Sequence, residues 1–506
     1  MDDRDTHNRM DHDGTREAVR AFYDQHPYPP AVDDLDGYRR LWEEEGRRRA
    51  DFHLHWPGRA YREGLQVLVA GCGTSQAAKH ALREPASRVV GIDVSEASVR
   101  HTEALKRKYN LGNLEVYRLP VERVGDLSRR FDKIVCTGVL HHLPAPEEGL
   151  HALRAMLPPD GAMDLMVYAP YGRAGVYMLQ EYCRRLGIGH TDQEIRELAV
   201  TLAALPPHHP LARLLGGSPD FQHKDALADA LLHPQDRAYS VPQLFDLIEG
   251  CGLKFGRWVR QAPYLPSCGR LAATPHADRL SALPPREQYA AVELFRGTML
   301  RHSLIVHRDD SPDGGRPPRF DDDGWLGYVP IRLPETIRVQ ERLPPGAVAV
   351  LINRAHTDTD LFLPVDEEQG RWFDAIDGRK TAGAILERVM GGGRQPPDRI
   401  HARRFFEQLW RHDLLVMDAS GHNGESDDRP PQGRTLQKHR HDRHGRPELR
   451  DAGDAGAAHD HPDLFAPHPG AGSLRPLALA TPCPGGSDAG RGRGERPVSL
   501  TPFRQS

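Results

Sequence analysis

The sequence predicts an α/β fold in which helices cover both faces of a mostly parallel sheet. Short apolar runs alternate with helix-like patterns between Gln66 and about Ala169, and this order builds a parallel sheet. A glycine-rich turn directly follows the first apolar run, and open α/β sheets bind ligands at the carboxyl ends of their strands. Two later strand-like runs, Leu253 to Arg260 and Arg301 to Arg308, follow a long helical block.

Each element follows from its local pattern. The apolar runs that predict parallel strands are Gln66–Ala70, Arg88–Val94, Leu114–Leu119, Lys133–Thr137 and Ala162–Ala169. A helix is predicted over Glu96–Tyr109 because Ser95 can cap its first turn. The other helical patterns cover Pro146–Met156, an insertion over about 172–240, Val241–Gly250 and Pro285–Met299.

The turn after the first strand has the composition of a ligand-binding turn. Residues Val67 to Ser75 read VLVAGCGTS, and Gly71 and Gly73 lack side chains that would keep a ligand away from the backbone. Asp93 follows about 20 residues downstream, where an acid can accept hydrogen bonds from ribose hydroxyls. The dinucleotide fingerprint is incomplete, because Gln76 stands where a third glycine is expected. The alternative is that the glycines form only a tight turn and that Asp93 is a helix N-terminal acid.

Three segments in order carry a family resemblance. The turn Gly71 to Ser75, GCGTS, resembles motif I of class I S-adenosylmethionine-dependent methyltransferases. Phe131 to Leu143, FDKIVCTGVLHHL, is similar to the fourth strand and following loop of that superfamily, and Leu157 to Gly161 is similar to its turn before the fifth strand. The resemblance implies a Rossmann-like sheet of seven strands, which the two later strands complete as an antiparallel hairpin. It also implies S-adenosyl-L-methionine as cofactor and in-line methyl transfer to an undefined small-molecule or peptide acceptor.

The resemblance assigns cofactor contacts to particular positions. The backbone around the two glycines would hold the methionine portion, and Asp93 would hold the ribose. After the third strand Pro120 stands where many members carry an acid, so Val121 or Glu122 would contact the adenine. The residues assigned to the cofactor are Ala70, Gly71, Cys72, Gly73, Asp93, Val121, Glu122 and Thr137.

A proline-rich segment precedes the first strand. Residues Ala21 to Pro30 read AFYDQHPYPP and cannot be helical through their prolines. An HPYP or NPYP segment ahead of these motifs resembles one subgroup of the same methyltransferases. We expect an ordered lid in which Tyr28, the predicted catalytic residue of the segment, acts with Tyr23 and His26 to orient the acceptor or to shield the sulfonium. The alternative is that Tyr28 only packs on the sheet edge.

Further acceptor-side candidates follow strands four and five. A histidine after strand four could remove a proton from an acceptor hydroxyl or amine. Because adjacent residues point in different directions, the sequence assigns His141 to the site and His142 to the scaffold. Tyr168, Tyr171 and Arg173 lie just past strand five, and the alternative for Arg173 is a surface salt bridge.

A second, smaller region follows a linker rich in Asp, Pro, Gly and Arg. The segments WFDAIDGRKTAGAILERV and FFEQLWRHDLLV resemble the PqqD-like winged-helix family, which includes peptide-recognition domains. The alternative is a small helical domain packed on the catalytic sheet or on another subunit. The composition of the last part predicts disorder. The predicted divisions are 1–50 for the N-terminal segment and lid, 51–308 for the methyltransferase domain, 309–323 for the linker, 324–418 for the small domain and 419–506 for the tail.

Composition limits the partners. The chain has 506 residues and a formal net charge of -4, so a nucleic-acid substrate is not expected. The six cysteines form no C-x-x-C pair, so neither a disulfide framework nor a metal site is expected. A charged amino terminus and the lack of a membrane-length apolar run predict a soluble, cytoplasmic protein. The oligomeric state is left open, and the alternative function is a binding protein that has lost turnover.

Overall fold

The computed structural model describes residues 3–217, 223–312, 315–390 and 399–422. Seven strands form its main sheet: β1 Gln66–Ala70, β2 Arg88–Asp93, β3 Leu114–Arg118, β4 Lys133–Thr137, β5 Ala162–Tyr168, β6 Leu253–Trp258 and β7 Arg301–Arg308. Their order is β3-β2-β1-β4-β5-β7-β6. Strands β1 to β5 pair in parallel, and β7 is antiparallel to both β5 and β6. The predicted sheet and its hairpin are confirmed.

Thirteen helices accompany this sheet within the described ranges. They are α1 Asp3–Gln25, α2 Asp36–Trp42, α3 Glu45–His55, α4 Gln76–Arg83, α5 Glu96–Lys108, α6 Pro146–Met156, α7 Ala174–Leu186, α8 Asp192–Leu202, α9 Ala212–Gly217, α10 Lys224–Leu232, α11 Val241–Gly250, α12 Ala277–Ser281 and α13 Pro285–Arg296. Helix α13 ends before the predicted Met299 because Gly297 adopts a left-handed φ of 61°. Within the described parts of the chain, no helix is long and apolar enough to cross a membrane.

The sheet is buried on both faces, and β1 shows why its sequence is a continuous apolar run. Val67 and Val69 pack into one hydrophobic cluster with α4 and α5. Leu68 and Ala70 pack into a second cluster with α6 and α11. Successive side chains of a strand point to opposite faces, so a strand covered on both sides needs apolar residues at every position.

The N-terminal segment is more helical than the sequence indicates. Helices α1, α2 and α3 lie in the stretch that was predicted only as a segment with a lid. The charged composition of α1 hides an apolar side, on which Val19 and Phe22 are buried. The helix ends at Gln25, and the prolines that follow are not helical, as predicted.

The C-terminal region has its own strands and helices. Its described elements are β8 Val329–Arg332, β9 Thr336–Val339, β10 Ala349–Asn353, β11 Phe362–Val365, α14 Glu367–Ala375, α15 Ala382–Met390, α16 Arg399–Arg411 and β12 Leu415–Asp418. They form a three-stranded sheet, β11-β10-β9, and a β12-β8 pair. Ile331 of β8 and Val416 of β12 share a hydrophobic cluster with Val67 of β1, so this region packs on the main domain. The PqqD-like resemblance stays a prediction, and the tail beyond residue 422 lies outside the described residues.

Asp413 connects the C-terminal region to the main sheet. Its carboxylate is buried and accepts hydrogen bonds from Nη2 of Arg257 at 3.1 Å and from the backbone N–H of Ala262 at 2.9 Å. The ring of His356 lies 3.1 Å from the same carboxylate. Arg257 belongs to β6, so the carboxylate joins the two parts of the chain through a buried ion pair.

We predict that Asp413→Ala lowers the free energy of unfolding by about 3–5 kcal/mol, because it leaves the buried guanidinium of Arg257 without its partner. The measurement is chemical denaturation followed by fluorescence. The matched control is Asp323→Ala, whose ion pair with Arg399 is exposed on both sides, and which should cost less than about 1 kcal/mol. Equal losses in the two variants would contradict the assignment.

Candidate functional site

A cavity of about 410 Å³ opens at the carboxyl ends of β1, β2 and β4. Strand β1 has β2 on one side and β4 on the other, so the strand order reverses at β1. Open α/β sheets bind ligands at such a switch point. Helix α1 and the segment after it also contribute to the wall. The wall includes Arg16, Arg20, Tyr23, Tyr28, Gly71, Cys72, Gly73, Asp93, Val121, Glu122, Thr137, His142, Tyr168 and Asp229.

The fold itself requires glycine at two positions of the β1 turn. Gly71 and Gly73 have φ values of 66° and 52°, in the left-handed region that favours glycine. A Cβ on Gly71 would lie 2.2 Å from Cγ2 of Val139, and a Cβ on Gly73 would lie 3.0 Å from Cδ of Pro29. Because these two residues have no side chains, the loop after β4 and the proline-rich segment can both pack against the turn.

Asp93 lies just before the start of α5 and also lines the cavity, where the sequence predicts a ribose contact. Its Oδ2 accepts a hydrogen bond from the backbone N–H of Gly73 at 2.8 Å, and its Oδ1 accepts one from Ser95 at 2.9 Å. Ser95 caps α5 by accepting from the backbone N–H of Ser98, as predicted. Burial raises the pKa of Asp93, and the backbone hydrogen bonds oppose this shift. Each carboxylate oxygen keeps a second lone pair for a ligand hydroxyl in the cavity.

Helix α1 is fixed over the cavity by polar contacts. Arg16 donates to Oε1 of Glu122 and to Oε2 of Glu148, both at 3.1 Å. At the other end, Oδ1 of Asp24 accepts from the backbone N–H of Glu96 at 2.8 Å, in the first turn of α5. Sequence reasoning missed this wall, although the buried Val19 and Phe22 follow helical spacing and could have indicated it.

The proline-rich segment lies against the glycine turn. The hydroxyl of Thr74 donates to the carbonyl of Pro29 at 2.9 Å, and Tyr28 lines the cavity. His26 does not line it, because its buried ring contacts Oδ1 of Asp225 at 3.0 Å and the carbonyl of His190 at 2.8 Å. The segment thus covers the turn, and His26 connects it to the helical insertion.

Of the residues predicted to contact the adenine and the methionine portion, most lie in the cavity wall and one does not. Val121 and Glu122 begin a short 3-10 helix at the cavity wall, and Thr137 donates to Oε1 of Gln76 at 3.2 Å. Cys72 also lines the cavity, whereas Ala70 is buried in the sheet core and is not in the wall.

The positions of the two histidines are the reverse of the prediction. His142 lines the cavity, whereas His141 is buried behind it, with its ring centroid 4.0 Å from that of Tyr168. The insertion holds both residues, because the backbone N–H of Arg237 donates to the carbonyl of His141 and the carbonyl of Gln235 accepts from Nδ1 of His142. The placement favours His142 for the role that the sequence assigned to His141.

Of the candidates Tyr168, Tyr171 and Arg173, only Tyr168, the last residue of β5, lies in the cavity wall within the described residues. The guanidinium of Arg173 lies 3.5 Å from the centroid of the Tyr168 ring and pairs with Asp236 at 3.2 Å. This pair is an internal salt bridge rather than a surface one, since Arg173 is buried. Tyr171 is 43% exposed and does not line the cavity.

Asp229 of α10 is a wall residue that the sequence gave no reason to select. It is 3% exposed, and its Oδ1 accepts a hydrogen bond from the hydroxyl of Tyr23 at 3.0 Å. The contact joins residues more than two hundred positions apart, so only the folded chain reveals it.

Residues 68–163 match a family model described as a methyltransferase domain. An uncharacterized protein of Synechococcus sp. is 29% identical over 332 residues, which cover 63% of this chain and 78% of that protein. A ubiquinone biosynthesis O-methyltransferase of Acinetobacter baylyi is 27% identical over 147 residues, which cover 29% of this chain and 56% of that protein. The chain therefore spans little more than half the length of this second relative.

A solved structure gives a broader likeness. The structure of PKMT2 from Rickettsia typhi in complex with AdoHcy covers 77% of this chain and 77% of its own, with a TM-score of 0.55 and 15% sequence identity. At this identity the likeness shows a shared fold.

We predict that Gly71→Ala destabilises the protein by about 1–3 kcal/mol, because it combines a left-handed φ with a close contact to Val139. The measurement is the free energy of unfolding. Gly125→Ala is the control, since a Cβ there meets nothing within 4 Å. The double variant Gly71→Ala/Val139→Ala should recover part of the loss, and no recovery would mean that the φ alone requires glycine.

Proposed function

We propose that this chain, whose residues 68–163 match a methyltransferase-domain family model, is a class I S-adenosylmethionine-dependent methyltransferase that binds S-adenosyl-L-methionine in the cavity and transfers its methyl group. The acceptor is a small molecule or a peptide side chain. The observation that carries the proposal is that the β1 turn and Asp93 meet in one cavity at the carboxyl ends of the strands.

The cavity suits a nucleoside that carries an amino-acid tail. The carboxylate of Asp93 has acceptor positions left for the ribose hydroxyls, as described above. The turn at Gly71 and Gly73 presents bare backbone to the tail, and Val121 and Glu122 border the position proposed for the adenine. The volume of about 410 Å³ lies in the usual range of ligand pockets, about 300–1,000 Å³.

When bound, S-adenosyl-L-methionine supplies a methyl group that its positively charged sulfur already activates. The residues of this chain therefore need mainly to orient the acceptor and to exclude water. Helix α1 and the Tyr28 segment cover the cavity, and the rings of Tyr28 and Tyr168 line it. Aromatic faces of this kind attract a positively charged group.

Tyr168, His142 and Asp229 form the part of the wall that we assign to the acceptor. Because the same cavity would also hold the cofactor, we propose that a small molecule or one side chain of a peptide enters beside it. The alternative, a binding protein without turnover, has no comparable support, since the cofactor turn and the acceptor wall share one cavity.

We predict that S-adenosylhomocysteine binds the full chain and that Asp93→Ala weakens this binding by about 10- to 100-fold, because hydrogen bonds to a charged group are lost. Isothermal titration calorimetry measures the affinity. Asp246→Ala is the control, because its exposed carboxylate pairs with Arg286 of α13 and does not line the cavity. Equal affinity of the wild type, Asp93→Ala and Asp246→Ala would show that Asp93 does not contribute to binding.

We predict turnover as well as binding. Incubation with S-adenosyl-L-methionine that carries a deuterated methyl group should label an acceptor in a mixture of extracted metabolites and peptides. Mass spectrometry detects the gain of one labelled methyl group. Binding of S-adenosylhomocysteine without any labelled product in such mixtures would favour the alternative function.

A further inference from the structure

Two histidines and an aspartate form a buried cluster at the acceptor side of the cavity. His142 ends a short 3-10 helix after β4, Asp229 lies in α10, and His233 directly follows α10. One side-chain nitrogen or oxygen atom of each residue lies within 4.8 Å of those of the other two. The imidazole rings of His142 and His233 are 3.9 Å apart between centroids. His142 and Asp229 line the cavity, and His233 lies behind them.

The backbone of Gln235 fixes the tautomers of the two rings in opposite ways. Its carbonyl lies 2.7 Å from Nδ1 of His142 and can only accept, so Nδ1 of His142 carries a hydrogen. Its N–H donates to Nδ1 of His233 at 3.0 Å, so the hydrogen of neutral His233 is on Nε2. Neutral His142 therefore has its free lone pair on Nε2, whereas His233 presents an N–H there.

The surroundings of His233 disfavour a proton on its ring. Burial lowers the pKa of His233 well below its usual value, and His142 lowers it further. The neighbour of His142 in the wall is the carboxylate of Asp229, which the hydroxyl of Tyr23 holds in place. Burial raises the pKa of Asp229, and a charge on His142 lowers it, so a protonated His142 and an ionised Asp229 stabilise each other.

We propose that His142 is the general base of the methyl transfer and that the acceptor atom is an oxygen or nitrogen that bears a hydrogen. The inference rests on the proposed function. The lone pair of the acceptor atom forms the bond to the methyl carbon, and the carbon–sulfur bond breaks with its electrons remaining on sulfur. The hydrogen of the acceptor atom moves as a proton to Nε2 of His142. Asp229 stabilises the imidazolium, and Gln235 and His233 position the ring.

The spacing of the cluster would also allow a cation, and the tautomers argue against one. Ring nitrogens bind metals through a lone pair. The Gln235 N–H occupies the lone pair of His233, and Nε2 of that ring carries the hydrogen. The side chains then offer one imidazole and one carboxylate, which is a poor set for a transition metal.

The groups that face His142 come from every element packed against it. They are Tyr23 of α1 at 6.1 Å and Tyr168 of β5 at 5.9 Å between ring centroids, the adjacent His141, Asp229 of α10 and His233. Burial raises the pKa values of Tyr23 and Tyr168, so both phenols stay neutral in the working range. Apart from the proposed base, Asp229 is then the ionisable group of this set that would carry charge.

The first test needs no acceptor. In protein that contains ring-labelled nitrogen-15 histidine, long-range proton–nitrogen correlation spectra distinguish the two neutral tautomers. We expect the Nδ1–H form for His142 and the Nε2–H form for His233, each assigned by the signals missing from His142→Gln or His233→Gln. The Nε2–H form at His142 would overturn the proposal, whatever the outcome for methyl transfer.

The second test uses an acceptor found by the labelling experiment. We expect kcat of the wild type to rise tenfold per pH unit at low pH and then to level off, because only neutral His142 accepts the proton. His142→Gln should lose about 100-fold or more and also lose this pH dependence. Calorimetry with S-adenosylhomocysteine should show unchanged affinity, which separates failure of this proposal from failure of cofactor binding. His151→Gln, an exposed histidine of α6, is the control and should keep both rate and pH profile.

Several results would overturn the assignment. A His142→Gln variant that binds S-adenosylhomocysteine normally and keeps the low-pH limb would exclude His142 as the base. Loss of activity on treatment with EDTA, restored by a divalent cation, would show that the cluster holds a metal. Faster methylation of a tertiary amine than of a phenol or a primary amine would show that proton removal is not needed.

Discussion

The site depends on the carboxylate of Asp93, which accepts a hydrogen bond from the backbone of the β1 turn. A turn that exposes bare N–H groups to a cavity needs partners for them, since unpaired buried donors are costly. Asp93 supplies one partner for Gly73 and another for Ser95, and thus joins the β1 turn to the start of α5. Asp24 of α1 binds the same helix start through Glu96. Negative charge is favoured at a helix N-terminus, so α5 positions both the proposed ribose contact and the end of the covering helix.

The acceptor side depends on contacts between segments that are far apart in the chain. Tyr23 of α1 holds Asp229 of α10, and His26 holds Asp225. Neither α1 nor the insertion is part of the sheet. Each is held at the cavity wall by these contacts with the other. In the proposed function, the carboxyl ends of the strands hold the cofactor, and these two added segments border the acceptor beside it.

The sequence predicted what local patterns determine. The strands of the main sheet were found because a strand covered on both faces is apolar at every position, as in Val67 to Ala70. Gly71, Gly73 and Asp93 were found because their spacing follows from the strand–turn–helix unit itself. Helix α1 was missed because its sequence is strongly charged, and Val19 and Phe22 are the buried apolar residues in the part of the helix whose burial the structure describes. The C-terminal region was predicted as a small domain, and the hydrophobic cluster that Val416 shares with Val67 has no local signal.

Which of His141 and His142 faces the cavity could not be predicted from the local sequence. A 3-10 helix has about three residues per turn, so His141 and His142 must point in different directions, and the sequence states this correctly. It contains no information on which direction faces the cavity. Residues 235–237 of the insertion supply that information, because Arg237 binds the carbonyl of His141 and Gln235 binds the ring of His142. The same short segment orients the ring and fixes its tautomer, so the chemistry available at the end of β4 is determined about ninety residues later in the chain.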